Sequence, residues 1–212
     1  MASMLEELAG ALGGDTLGQL AGVLGADNDA VGKGVAAALP ALLGGLARNS
    51  RQPEGASALS NALGNKHDGS ILDSLGSIFG GSQWAQQQAN RDGENILGHV
   101  FGQSRPRVEQ QVQAASGLNA SMVSRLLPLL APIVLGYLGK KMAGGGSEQV
   151  ASSLEQERVT VKQNDGMLGQ ILDMLDGDDD NNNKDGGGIM DMAGDLLKGQ
   201  AGKMILGQLL GR

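Results

Sequence analysis

The fold is decided by two similar stretches: residues 17–48, LGQLAGVLGADNDAVGKGVAAALPALLGGLAR, and residues 109–140, EQQVQAASGLNASMVSRLLPLLAPIVLGYLGK. Aligned without gaps, they are identical at Gln19/Gln111, Gly25/Gly117, Val31/Val123, Pro40/Pro132, Leu43/Leu135, Gly44/Gly136 and Leu46/Leu138. A sequence that repeats itself usually encodes a packed supersecondary unit. We therefore predict two helix pairs of one design, each with a bend or a restart of the helix at the shared proline.

The composition of the chain favours helices over strands. Of its 212 residues, 41% are hydrophobic but only 2% are aromatic, and the apolar residues are mostly Leu, Ala, Val, Ile and Met. The chain has no cysteine, which excludes disulfides, thiolate metal sites and cysteine nucleophiles. The net charge of −7 and the pI near 4.8 disfavour binding to phosphate backbones or anionic membranes.

The most apolar run, residues 126–138, is shorter than the roughly 20 residues that a membrane span needs. The N-terminus carries early glutamates and lacks the basic region of a secretory signal. We therefore expect a cytoplasmic protein with no membrane span, in which this run forms a buried helix. The core positions predicted on it are Leu126, Leu127, Leu130, Val134 and Leu138.

Helical periodicity predicts an all-α, compact multi-helix domain over residues 1–145 and a flexible C-terminal tail over residues 146–212. A Gly/Gln/Asn-rich connection is expected at 80–93 and a glycine break at 144–146. The sequence predicts that the tail is a polar and acidic linker with amphipathic helices, a short one at 166–175 and a final one at 189–210. Between them, the low-complexity composition of 176–188 predicts no regular structure.

Each repeated stretch has the spacing of a helix-turn-helix motif, whose second helix faces DNA in proteins that bind it. The second copy places Asn119, Ser121, Ser124 and Arg125 at the start of that helix. In the first copy, the start of this helix carries acidic residues, which repel phosphates. In the second copy, the same helix continues directly into the apolar run 126–138. Nucleic-acid binding is therefore disfavoured but kept as an alternative.

The Asp/Asn-rich segment resembles a calcium-binding loop. Asn181, Asn183 and Asp185 occupy ligand positions, Gly186 occupies the turn position, and Asp191 lies in the eleventh. The twelfth position, which normally supplies a bidentate glutamate, is a methionine. A solvated linker is the preferred interpretation, and calcium is the only cofactor that the sequence suggests.

The sequence contains no recognisable set of catalytic residues. His67 and His99 are the only histidines, and neither belongs to a recognisable serine, histidine and acid arrangement. Trp84 stands beside three glutamines, where it is interpreted as an anchor for its helix in preference to a contact patch. We expect that the chain is not an enzyme.

Three segments, 40–49, 92–102 and 116–141, resemble the YidB-like bacterial family, domain of unknown function 937. The resemblance implies an all-helical fold with duplicated, homeodomain-like helix pairs. It implies no activity, substrate or site residue.

The leading functional hypothesis is a non-enzymatic, soluble helical module that acts by protein interaction, with a protein partner or as a homo-oligomer. One alternative is a DNA-binding protein that uses the helix pair 109–140. The other is a calcium-binding acidic tail.

Overall fold

The computed structural model describes residues 4–142 and 145–164, and all of the regular structure in these ranges is helical. This confirms the predicted all-α, multi-helix domain. A short 3₁₀ turn lies at 102–104. The helices are α1 (Met4–Ala11), α2 (Asp15–Leu24), α3 (Asn28–Asn49), α4 (Pro53–Asn65), α5 (Ser70–Asp73), α6 (Leu75–Phe79), α7 (Gln83–Phe101), α8 (Arg105–Ser116), α9 (Ala120–Lys141) and α10 (Ser147–Asn164).

Two 22-residue helices, α3 and α9, form the centre of the protein, and the other helices pack around them. Every residue from 126 to 139 of α9 is buried. The five core positions predicted on this helix are each 0% exposed, which confirms that prediction. The apolar run is buried because α9 packs against α3, α7 and α8.

The repeated stretches form helix pairs with matching local features, α2 with α3 and α8 with α9. Gly25 and Gly117 end the first helices with positive φ angles of 68° and 74°, a conformation that favours glycine. Asp27 and Asn119 cap the second helices, each accepting a hydrogen bond from the backbone N–H three residues later. The homeodomain-like arrangement of the two pairs stays a prediction.

The predicted connection at 80–93 was wrong, because these residues belong largely to α7. Ser82 caps this helix by accepting a hydrogen bond from the backbone N–H of Ala85. Gly93, at the end of the predicted connection, lies mid-helix and packs directly against the backbone of Pro128 in α9. Glycine at this position lets α7 and α9 approach each other closely.

Beyond the glycine break, α10 packs against α3 and α4. Val150 and Leu154 are buried, one turn apart on its inner face. The carboxylate of Glu157 accepts a hydrogen bond of 2.9 Å from the backbone N–H of Leu5, at the start of α1. The helical body therefore continues past residue 145, into sequence that polarity alone assigned to the tail.

The prediction of no membrane span must be corrected. It rested on the short apolar run 126–138, but the helix containing that run is longer. Both α3 and α9 are long and apolar enough to cross a membrane, with 18-residue windows of mean hydropathy 1.5 and 1.6. These windows are 78% and 83% buried within the protein, and core helices of soluble proteins meet the same criterion. Length and composition are thus weak grounds for a span.

Candidate functional site

The residues of the nucleic-acid alternative lie together at the start of α9, where they bond to one another and to nearby backbone. Asn119 accepts hydrogen bonds from the backbone N–H of Met122 and from the hydroxyl of Ser121, at 2.9 and 2.7 Å. The hydroxyl of Ser124 donates to the carbonyl of Ser121. These hydrogen bonds satisfy polar groups at the N-terminus of α9, so the polar character of these residues is explained without a ligand.

Arg125 connects the two helix pairs. Its Nη2 donates a 2.8 Å hydrogen bond to the carbonyl of Val23, in the last turn of α2. Basic side chains are favourable at this end of a helix, because the last carbonyls lack partners within it. A helix that reads a major groove must also present an exposed face, and α9 is buried from 126 to 139.

The predicted calcium ligands, Asn181, Asn183, Asp185 and Asp191, lie outside the described residues. Within residues 4–142 and 145–164, no group of three or more His, Asp or Glu side chains is placed to hold a metal ion.

A cleft of about 470 Å³ lies between α3, α4 and α7, and no sequence pattern indicates it. Both histidines of the chain line this cleft, although they are far apart in the sequence. The lining comprises Leu46, Asn49, Gly55, Ala58, Leu59, Asn61, Ala62, Asn65, Lys66, His67, Asp92, Asn95, Ile96, His99, Val100 and Leu135. These residues come together because α4 and α7 each pack against α3 and α9.

Glycines set the positions of the polar groups in the cleft. A Cβ atom on Gly139 of α9 would lie 2.9 Å from the carbonyl carbon of His67, so glycine lets the loop after α4 approach α9. A Cβ atom on Gly55 would lie 3.0 Å from the carbonyl carbon of Asn49. The side-chain amide of Asn49 in turn donates a 3.0 Å hydrogen bond to the carbonyl of His99. These contacts tie the walls of the cleft to one another.

The electrostatics of the cleft favour a neutral imidazole at His67. Partial burial lowers the pKa of His67, the nearby Asp92 carboxylate opposes that shift, and Lys66 adds to it. A neutral imidazole offers one hydrogen-bond donor and one acceptor. Lys66 and Asp92 contribute one charge of each sign to the lining. The cleft therefore presents balanced charge and mixed hydrogen-bonding groups.

A second candidate site is the outer face of α7. Trp84, the single tryptophan of the chain, is 76% exposed, so its interpretation as a helix anchor was wrong. The inner face of α7 is formed by Ala89, Gly93 and Leu97, four residues apart and buried, which turns Trp84 outward. Three further residues, one and two turns along on the side of Trp84, are also exposed: Gln87, Gln88 and Arg91. We call these four residues the Trp84 stripe.

No curated protein and no solved structure matches the chain. The model of one family, described as "Bacterial protein of unknown function (DUF937)", matches residues 6–141. This span includes the cleft and the Trp84 stripe and ends before α10. It confirms the bacterial family of unknown function that the resemblance indicated, while the YidB-like name stays a prediction. The chain belongs to the DUF937 family of bacterial proteins.

Proposed function

We propose that this protein is a non-enzymatic helical module that acts by protein association, and that the Trp84 stripe is its contact surface. The observation that carries the proposal is the 76% exposure of Trp84. The other described large hydrophobic side chain with substantial exposure is Val159, at 41%. A tryptophan exposed to this extent contributes little to the stability of its own fold.

The composition of the stripe is that of a binding hot spot. Tryptophan and arginine are enriched among the residues that dominate binding energy at protein interfaces. The indole ring supplies a large apolar surface with few rotatable bonds, so burying it costs little conformational entropy. Gln87 and Gln88 flank the ring with groups that both donate and accept hydrogen bonds. Truncating such an anchor typically costs 2 kcal/mol or more, which is roughly 30-fold in affinity.

The single tryptophan makes association directly measurable. Its fluorescence reports on one position, so burial at an interface shifts the emission to shorter wavelength and protects the ring from acrylamide quenching. For association with a second copy, we expect these changes to rise with protein concentration, together with the mass measured by light scattering. Trp84→Ala, measured by light scattering, should raise the dissociation constant by roughly 30-fold. Val159→Ala, which removes an exposed apolar group from α10, is the matched control and should leave association unchanged.

For association with a different protein, partner capture on immobilised wild type and Trp84→Ala protein tests the same surface. A partner retained by wild type and by Val159→Ala but lost from Trp84→Ala supports the proposal. The proposal fails if the captured partners are the same on all three proteins and the emission stays that of a solvent-exposed indole at every concentration.

A further inference from the structure

We infer that the cleft between α3, α4 and α7 is a binding site for a short aliphatic peptide. The inference is independent of the proposed function, because Trp84 is not among the residues that line the cleft. A volume of about 470 Å³ falls within the range of small-ligand sites. Such sites combine an apolar surface with a few convergent polar groups, and this cleft has both.

The apolar part of the cleft is aliphatic. It is formed by Leu46, Leu59, Ile96, Val100 and Leu135, and the imidazoles are the only rings among the lining residues described. Nucleobases generally bind by stacking on aromatic side chains, and this lining has none of the large rings of Trp, Tyr or Phe. Leucine, isoleucine and valine surfaces instead suit the aliphatic side chains of a ligand, since burial of apolar area is non-directional.

The polar part of the cleft matches the hydrogen-bonding pattern of a peptide. Four asparagines line it, at 49, 61, 65 and 95, and each carboxamide offers both donors and acceptors, as a peptide group does. Asn49 and Asn65 already donate to the carbonyls of His99 and Asn61, each at 3.0 Å, and these bonds fix their orientation. Their side-chain oxygens remain acceptors for a ligand N–H.

The charges of the cleft favour a zwitterionic or neutral ligand over an anion. Lys66 can pair with a carboxylate and Asp92 with an ammonium group, so the lining complements both ends of a free peptide. A fatty acid or another simple anion can pair with Lys66, but it leaves the carboxylate of Asp92 without a cationic partner. His67, held neutral by partial burial, is likewise suited to a neutral hydrogen-bonding group.

The two histidines provide the assay, because the imidazole signals in an NMR spectrum come from His67 and His99 alone. The probes are the tripeptide Ala-Leu-Ala with free ends and the same tripeptide acetylated and amidated. We expect both imidazole signals to shift saturably and with one dissociation constant. Tighter binding of the free-ended probe would identify a free peptide as the ligand, whereas equal or tighter binding of the blocked probe would identify an internal segment of another chain.

Variants separate specific binding from other causes of a shift. Asn95→Ala should weaken binding by about 3- to 10-fold, the range expected for one lost hydrogen bond. Asn90→Ala changes the same residue type on the same helix outside the cleft and should bind as wild type does. Ala62→Phe should abolish binding by filling the cleft, with a thermal melt confirming that the variant folds.

Two results would overturn the inference. One is the absence of any imidazole shift at millimolar concentrations of both peptides. The other is tighter binding of hexanoate, an aliphatic anion without a peptide group, than of either tripeptide. An affinity for Ala-Leu-Ala that Asn95→Ala leaves unchanged would remove the proposed role of the carboxamides and count against a peptide site.

Discussion

Substituting Gly93 by alanine tests the packing of α7 on α9, the contact that joins the Trp84 stripe and the cleft to the core. A Cβ atom at this position would lie 2.6 Å from the Cα of Pro128 and closer still to its carbonyl oxygen. These are backbone atoms of a buried helix, which cannot move aside as a flexible side chain would. The two helices must therefore separate, or α7 must bend.

The expected magnitude combines two opposing effects. Overpacking a core typically costs 1–3 kcal/mol, and a collision with backbone belongs near the upper limit, about 3 kcal/mol. Alanine is preferred over glycine in a helix by about 1 kcal/mol, which offsets part of this cost. We expect Gly93→Ala to lower the free energy of unfolding by about 2 kcal/mol. For a domain of this size, the melting temperature should fall by roughly 4–8 °C.

Gly98 provides the matched control on the same helix. A Cβ atom there would meet nothing within 4 Å, so only the helix preference acts. Gly98→Ala should raise stability by about 0.5–1 kcal/mol. Urea denaturation followed by circular dichroism at 222 nm measures both variants. Changes of the same sign and similar size in the two variants would show that the close contact between α7 and α9 is not as described.

Four further outcomes are expected. Leu130→Ala should lower the unfolding free energy by about 2–5 kcal/mol in urea denaturation, because Leu130 is fully buried; an unchanged midpoint would contradict its place in the core. In a mobility-shift assay at physiological salt we expect no submicromolar binding to duplex DNA, and such binding, abolished by Arg125→Ala, would instead support the DNA alternative. Calorimetry should show weak or no calcium binding, and a saturable signal lost in Asp185→Ala would overturn the preference for a solvated linker. The Arg105 guanidinium, hydrogen-bonded at 2.9 Å, lowers the pKa of Glu94, so the stability from this pair is complete above the ordinary glutamate pKa and is lost as the pH falls through the lowered one. Glu94→Gln should remove that part of the acid dependence of unfolding, and an identical pH profile would refute it.

The long helices were predictable because their signals are local. The run 126–138 is apolar on all sides, and only a buried central helix satisfies such a pattern in a folded domain. The caps at Asp27 and Asn119 and the glycines that precede them mark the helix boundaries in the sequence itself. By contrast, α10 has a weak apolar pattern, since Val150 and Leu154 are its described fully buried apolar residues. Its position depends on contacts with α1, α3 and α4.

The two surfaces proposed to act in binding could not be predicted, because each depends on which way α7 faces. The direction of Trp84 is set by Ala89, Gly93 and Leu97 on the opposite side of the helix. The sequence shows these three residues, but it does not show that α9 offers a backbone groove for the glycine. The presence of His67 and His99 in one cleft also depends on how α7 faces, since α7 carries His99 and the loop after α4 carries His67.

The two Asp-Gly dipeptides show why sequence patterns alone do not predict these surfaces. Asp68-Gly69 and Asp92-Gly93 look alike, and each has the composition of a turn. Gly69 has a φ of 101°, and the carboxylate of Asp68 accepts a hydrogen bond from the backbone N–H of Ser70, so the first is indeed a turn. Gly93 lies mid-helix against the backbone of Pro128. Glycine suits both positions for different reasons, since the first needs a positive φ and the second needs the absence of a Cβ atom. Only the neighbour in space distinguishes them, and the same tertiary contact decides whether Asp92 caps a turn or lines a cleft.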